Sequence, residues 1–457
     1  MPSIGLSMIV KNESRTIRAC LESVRDVVTQ IVIADTGSSD NTCDIARDFG
    51  ADVVSFPWED HYARARNAAL EPIRTDWVLV LDADEELDRQ TGRNIQRLLS
   101  APEVGGFTTP IRNYVKSRSN RGWDRIAVEN DGAHERAMEA PAFFIHENCR
   151  LFRRRPDIYF TGRIHELVEP QVTAAGLKLR TANFFIHHFG HLESPPEIAD
   201  KGVYYRNLLR LKVEETPNDP AGWIQLGLQE YEQFHNQDEA LRCLQRALLL
   251  EPRAAEAWLF LAMIYVDAGR YQEALKALDH DTRRGSSTAL NEQVRGDALF
   301  SLNQFEDARL AYRRAIKVAG RDPILESKLG YTEVKLGHHG PGLAKLLRAA
   351  QEAPGMFAVQ DRLMKAYIMT GKLREAAATA EQVTEALSHP TLFLRAASIH
   401  ATLHDWHRCL QTLERGLAAF PDSADLRQGY AEANQQVIAS REAGLQPAMK
   451  SDGASAL

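Results

Sequence analysis

The sequence predicts two folds in one chain: an α/β domain on a mainly parallel sheet over residues 1–200, and an all-α stack of helical hairpins over 219–440. Two patterns carry this prediction. Up to residue 84, short apolar runs alternate with amphipathic helical segments; in the second half, small residues recur at a fixed spacing. The 457 residues, 44% hydrophobic and 26% charged, also suit a soluble protein with two or three cores.

In chain order, "IGLSMIV" (4–10) reads as a strand, "ESRTIRACLESV" (13–24) as a helix and "QIVIAD" (30–35) as a strand. "SSDNTCDIARDFG" (38–50) reads as a helix with Ser and Asp at its start, and "ADVVSFP" (51–57) as a strand. "YARARNAALEPI" (62–73) is a helix and "WVLVLDAD" (77–84) a strand. Such alternation builds a parallel sheet covered by helices on both faces, and ligands bind beyond the carboxyl ends of its strands.

Residues 201–218 are expected to form a connecting helix. Beyond them Ala240, Ala274, Ala308, Gly342, Ala376 and Cys409 are spaced by 34, 34, 34, 34 and 33 positions. Gly227, Ala262, Gly296, Gly330 and Ala397 keep the same register, with the bulkier Met364 as an exception, and Pro252, Pro354 and Pro421 close units. Small residues are needed where two antiparallel helices approach, and a proline ends the second helix, so each unit is a helical hairpin. Six hairpins and a weak final helix from Ala424 to Ala439 are expected. Asp281 and Gly416 replace the second helix's alanine, which predicts looser packing there. The polar segment 441–457 is expected to be disordered.

A net charge of -7 gives no overall reason to expect nucleic acid or an anionic membrane as partner, although the basic run "RLFRRRPD" (150–157) is a local anion candidate. No apolar stretch reaches the roughly 20 residues of a membrane span, and "MPSIGLSMIVKNE" does not read as a signal peptide, so a cytoplasmic protein is expected. Five scattered cysteines without a Cys-x-x-Cys pair indicate neither a disulfide framework nor a zinc site.

Three polar clusters fall at predicted strand ends: "KNES" (11–14), "DTGSSD" (35–40) and "DADEE" (82–86). Asp40 is explained as a helix cap, whereas Asp35 is either a turn former or a ligand to ribose or base. Strand alternation would point Asp82 and Asp84 to one side, and two such carboxylates call for a cation. Magnesium or manganese suits them, because those ions combine one or two carboxylates with substrate phosphates. Glu85 and Glu86 either line the pocket or begin a solvated helix.

"SMIVKNE", "IVIADTGSSDNT", "ARARNAAL" and "DWVLVLDADEEL", in this order and spacing, resemble the nucleotide-sugar half of a family 2 glycosyltransferase with the GT-A fold. "WLFLAMIYVDAGRYQEALKAL" (258–278) and "GDALFSLNQFEDARLAYRRAI" (296–316) resemble tetratricopeptide repeats. The fold class implied is an α/β GT-A domain followed by a tetratricopeptide repeat solenoid.

The resemblance implies that Asp35 contacts the uracil or ribose of the donor, that Arg66 and Asn67 lie near base and phosphates, and that Asp82 and Asp84 form a DxD motif on Mn2+ or Mg2+, with Asp84 the direct ligand. It implies a nucleotide-sugar donor, with a UDP-sugar preferred as the family's commonest. An inverting transfer needs a base to deprotonate the acceptor. Glu166 in "GRIHE" is the first candidate, ahead of Asp124, Asp131 and Glu147, with His165 orienting it. In "FFIHHFGH" (184–191), which also contains His191, only one of His187 and His188 can face the site; His188 is assigned to the metal, against a structural histidine as the alternative. Arg150 and Arg153 either face acceptor or phosphates or mark a charged strand edge.

The repeats are expected to bind a peptide or protein acceptor or to mediate homodimerisation. Enzymes of this pairing include ones similar to bacterial peptide S-glycosyltransferases. A polysaccharide or lipid-linked acceptor is the alternative within the enzyme class, and an inactive repeat scaffold the alternative outside it.

Overall fold

The computed structural model describes residues 2–92, 94–116, 121–122, 125–192, 198–280, 288–386 and 390–442. Asp124, Asp281 and the segment 443–457 lie outside them. By its internal contacts the chain divides into two units, residues 1–294 and 295–457.

The first unit begins with β1 (Ile4–Val10), α1 (Ile17–Val24), β2 (Gln30–Asp35), α2 (Thr42–Asp48), β3 (Asp52–Ser55), α3 (Tyr62–Leu70) and β4 (Trp77–Val80). Alternate strand residues enter two cores. Leu6, Ile33, Trp77 and Leu79 pack with Ile17, Leu21 and Val24 of α1, while Val32, Val78 and Val80 pack with Ala63 and Leu70 of α3. Helices therefore cover both faces, and each fully buried Ile, Leu or Val contributes roughly 1.5–3 kcal/mol. The strands β3, β2, β1 and β4 lie side by side and parallel, as the alternation requires.

Beyond β4 the sheet becomes mixed. The strand expected over 77–84 stops at Val80; Asp82-Ala83-Asp84 is a turn closed by the Glu85 N–H donating to the Asp82 carbonyl at 3.0 Å. The chain continues through β5 (Glu85–Leu87), the short helices α4 (Arg89–Gly92) and α5 (Ile95–Leu98), and the long β6 (Val104–Val115). Next come the small strands β7 (Arg121–Gly122), β8 (Arg125–Ile126) and β9 (Val128–Glu129), then β10 (Ala142–Arg153), α6 (Glu169–Ala174), β11 (Lys178–Thr181) and β12 (Ile186–His188).

The sheet runs β3-β2-β1-β4-β10-β6-β12-β5, with β10 antiparallel to both β4 and β6. Among the described residues between β6 and β10 there is no α-helix to carry a parallel crossover, so the chain returns antiparallel. β10 is thus interior, which corrects the charged-edge alternative for Arg150 and Arg153.

Helix α7 (Ile198–Glu215) occupies the expected connecting position. The hairpins follow as α8 (Pro220–Glu232) with α9 (Gln237–Leu250), α10 (Ala255–Asp267) with α11 (Tyr271–Asp279), and α12 (Ala289–Ser301) with α13 (Phe305–Ala319). The second unit continues with α14 (Pro323–Lys335) and α15 (His339–Glu352), α16 (Phe357–Met369) and α17 (Leu373–Ala386), α18 (Pro390–Thr402) and α19 (Trp406–Ala419), then α20 (Ala424–Glu442).

Small residues sit where the helices touch. A Cβ on Gly330 would lie 2.8 Å from the Gly342 carbonyl oxygen, and one on Gly342 would lie 2.6 Å from that of Gly330. The looser packing expected at Gly416 is not found: a Cβ there would lie 2.9 Å from Cβ of Phe393, so the missing side chain lets the phenylalanine in. Among the described residues no helix is long and apolar enough to cross a membrane.

Candidate active site

A cleft of about 1110 Å³ lies beyond the carboxyl ends of β1, β2 and β4. Its walls include Lys11 and Glu13, Thr36, the Asp82–Asp84 turn, Arg66 of α3, Arg150 of β10, the turn at Glu166 and His188. All three polar clusters of the sequence border this region because they end neighbouring parallel strands.

Asp82 and Asp84 both line the cleft, but through the turn rather than strand alternation, and their surroundings differ. Asp82 faces two guanidinium groups: Arg66 Nη2 donates to its Oδ1 at 2.5 Å and Arg150 Nη2 to its Oδ2 at 3.2 Å. Burial alone would raise the Asp82 carboxyl, but Arg66 and then Arg150 hold it well below the usual carboxylate range. Asp84 instead meets His188, whose Nε2 lies 3.2 Å from Oδ2.

The antiparallel pairing of β12 with β5 sets His188 opposite Glu85 and so delivers the imidazole to the Asp82–Asp84 turn. Asn113 Oδ1, 2.7 Å from His188 Nδ1, accepts there and leaves Nε2 toward Asp84. Burial works against the charged imidazole, but the Asp84 bond and nearby carboxylates outweigh it and raise the His188 pKa. A Cβ on Gly190 would collide with the Asp84 carboxylate and lie 2.8 Å from His188 Nε2, so the "FGH" glycine keeps this pair open.

His187 faces away, as alternation demands. It is 1% exposed, 2.9 Å from the Tyr114 hydroxyl and 3.2 Å from Asp88. His191 lines the cleft.

Glu85 and Glu86 do not begin a solvated helix; both are buried in β5. Glu85 accepts from Arg150 Nη2 at 2.8 Å and from the Asp82 N–H at 2.9 Å. Burial pushes its carboxyl up to about 7, with the Arg150 charge opposing the rise. Glu86 is held by Arg136 and His134. Of the two alternatives the solvated one fails: both acids are paired inside the domain, where an unpaired charge would cost several kcal/mol.

Glu166 lines the same cleft and accepts from Arg66 Nε at 2.9 Å. One guanidinium thus bridges Asp82 and Glu166. Burial disfavours its charge, but the Asp82 and Glu166 carboxylates hold it protonated. His165 also lines the cleft, and burial pushes it down to about 4, leaving it neutral near pH 7.

Other expected residues have different duties. Asn67 does not border the cleft: its side chain both donates to the Phe160 carbonyl and accepts the Phe160 N–H, each at 2.9 Å. Asp35 accepts from the Ser38 N–H at 3.0 Å, the turn-forming alternative, while its neighbour Thr36 reaches the cleft. Arg153 donates to the Val104 and Ala101 carbonyls at 2.8 and 2.9 Å, away from the cleft. Asp131 pairs with Arg112 and, like Glu147, is not part of the wall.

Asn113 was missed, since no motif marks β6. Trp58, Tyr204 and Tyr205 also line the cleft unforeseen. The adjacent tyrosines in "KGVYYRNLLRLK" were the available signal, but a connecting helix gave no reason to look for a site.

Residues 6–159 match the glycosyl transferase family 2 model, and residues 231–334 match a tetratricopeptide repeat-like domain. Over 177 residues the chain is 34% identical to a TPR repeat-containing protein of Synechococcus elongatus, covering 38% of this chain and 37% of that protein. Over 250 residues it is 24% identical to the SPbeta prophage-derived glycosyltransferase SunS of Bacillus subtilis, covering 54% and 53%. An uncharacterized glycosyltransferase of Rickettsia prowazekii is 34% identical over 101 residues, 22% of this chain and 34% of that one. The chain thus spans about half or less of the length of these relatives. It carries an N-terminal family 2 glycosyltransferase domain and a C-terminal tetratricopeptide repeat-like domain.

Proposed function

We propose, from the family 2 domain and the cleft it builds, that the chain is a metal-dependent, inverting glycosyltransferase that moves a hexose-type sugar from a UDP-sugar to a peptide or protein side chain. The observation that carries this reading is one cleft containing both an Asp84–His188 pair and, on a separate turn, Glu166.

Asp84 and His188 fit a hard divalent ion because Gly190 leaves open the space a Cβ would fill beside both donors. Among the described residues no group of three or more His, Cys, Asp or Glu is placed to hold a metal ion, so an ion at this pair would need substrate phosphates and water for the rest of its shell. When bound, Mn2+ or Mg2+ would supply positive charge to the leaving diphosphate. Asp82 orients Arg66 and Arg150, whose charges border the same space, and Lys11 adds another cation to the wall. Asp35, beside Thr36, is proposed for the nucleoside end.

In the transfer, Glu166 takes the proton of an acceptor hydroxyl or thiol as that oxygen or sulfur bonds to the anomeric carbon. The bond from that carbon to the diphosphate oxygen breaks, and UDP leaves with its electron pair. The bond from Arg66 Nε orients the Glu166 carboxylate for this role. The repeats are proposed to bind the acceptor or to join two copies, and the protein is proposed to act in the cytoplasm.

The test is hydrolysis of UDP-glucose, UDP-galactose, UDP-N-acetylglucosamine and UDP-N-acetylgalactosamine with Mn2+ or Mg2+, beside Asp84→Ala and Glu166→Gln. Metal-dependent release of UDP that is lost in Asp84→Ala and slowed on the order of a hundredfold or more, to a measurable residue, in Glu166→Gln supports the reading. Absence of both turnover and calorimetric UDP binding would overturn it in favour of a repeat scaffold.

A further inference from the structure

The turn that carries Glu166 is conformationally costly. Gly162 and His165 adopt φ of 102° and 52°, and a left-handed histidine costs about 1 kcal/mol. Its shape must therefore be imposed by neighbours.

Those neighbours include the helices that follow the sheet. Ile164, 4% exposed, packs with Leu208, Leu209 and Val213 of α7 and Leu226 of α8. Arg163 pairs with Glu215 at the end of α7 and donates to the Asp60 carbonyl at 2.7 Å. Between these contacts lies Lys212, 6% exposed, whose Nζ donates to the Ile164 carbonyl at 3.1 Å and to Gln225 Oε1 at 2.9 Å. An ammonium buried against two neutral oxygens is an expensive way to fill space; a methionine of similar volume would avoid the desolvation cost. What the ammonium adds is a directed bond to the peptide two residues before Glu166.

We propose that Lys212 is a positioning residue for Glu166: the connecting helix α7 sets the backbone of the turn from which the base reaches the cleft. The inference rests on the reading of Glu166 as the base. The Glu166 carboxylate is also among the charges acting on Lys212, and burial lowers the lysine's pKa.

The experiment is a double-variant cycle on the full chain, using Mn2+-dependent hydrolysis of the fastest of the four UDP-sugars and calorimetric binding of UDP with Mn2+. Lys212→Met is expected to lower kcat roughly tenfold to a hundredfold, as a displacement on the ångström scale can, with UDP affinity within about twofold. In the Glu166→Gln background the same substitution is expected to change nothing further, and Lys212→Arg, which keeps a donor, is expected to recover part of kcat.

Full kcat in Lys212→Met while Glu166→Gln is strongly slowed would overturn the role of Lys212 alone. An equal loss from Lys212→Met in both backgrounds would overturn it too. If Lys212→Met fails to fold, Lys212→Gln replaces it and is read against the same outcomes. Full turnover in Glu166→Gln would instead remove the base reading from which the inference starts.

Discussion

Glu85 is a carboxylate whose ionisation the fold opposes, and replacing it is expected to reverse part of the protein's pH dependence. Its side chain is 2% exposed, and burial pushes the carboxyl from 4.5 up to about 7. With the folded value above the unfolded one, the folded protein binds the extra proton between these limits. The contribution of Glu85 is fully present below pH 4.5 and is lost as pH rises through 7. A shift of this size corresponds to about 3 kcal/mol.

Glu85→Gln removes the titration while keeping an acceptor for Arg150. It places an amide nitrogen where the Asp82 N–H needs an oxygen, a fixed cost on the order of 1 kcal/mol. Relative to the unsubstituted chain, the variant is therefore expected to gain about 3 kcal/mol between pH 4.5 and 8, roughly 5 °C for a unit of 294 residues. Calorimetric unfolding across that range, with hydrogen exchange in Trp77–Val80 and Ala142–Arg153 identifying the sheet unit, measures the difference. Parallel pH curves for the two proteins would refute the assignment of a raised carboxyl to Glu85.

His187 offers the opposite sign: burial holds it near 4, with the Asp88 bond opposing, so its contribution is present above pH 6.5 and lost as pH falls through 4, and His187→Gln is expected to flatten that acid limb by about 3 kcal/mol in calorimetric unfolding. Asp40, lowered to about 2 by its bond from the Thr42 hydroxyl, contributes stability above pH 3.8 that disappears below 2; melting curves of Asp40→Asn and the unsubstituted chain are expected to converge there. Gly330→Ala sets a methyl group 2.8 Å from a backbone oxygen that cannot rotate away, so urea unfolding of the repeat unit is expected to show a loss of about 1–3 kcal/mol.

Much of the site was legible because strand ends in a parallel sheet gather polar residues from distant parts of the chain. Asp82, Asp84, Glu166 and His188 do line one cleft, and Arg66 joins two of them. Asn67 lies off the cleft because the Phe160 backbone claims both ends of its amide, and sequence does not reveal such local hydrogen bonds; the Ser38 N–H that Asp35 accepts is of the same kind. Arg150 was ambiguous because beyond residue 100 the pattern indicates strands but not their neighbours, and an interior β10 turns a surface charge into a buried counterion. In the repeats the 34-residue spacing was explicit, yet at Gly416 the consequence reversed, because the volume released by a glycine is taken by Phe393.

Arg66 and Asn67 are consecutive on α3, and between them they grip both ends of one short stretch. Asn67 clamps the backbone of Phe160, and Arg66 grips the carboxylate of Glu166. Such a segment is a fixture and not a lid. No folding-over of this stretch has to precede chemistry, so no ordering entropy need be spent there when substrate arrives. The same stapling holds the Glu166 carboxylate at the cleft wall whether the cleft is filled or empty.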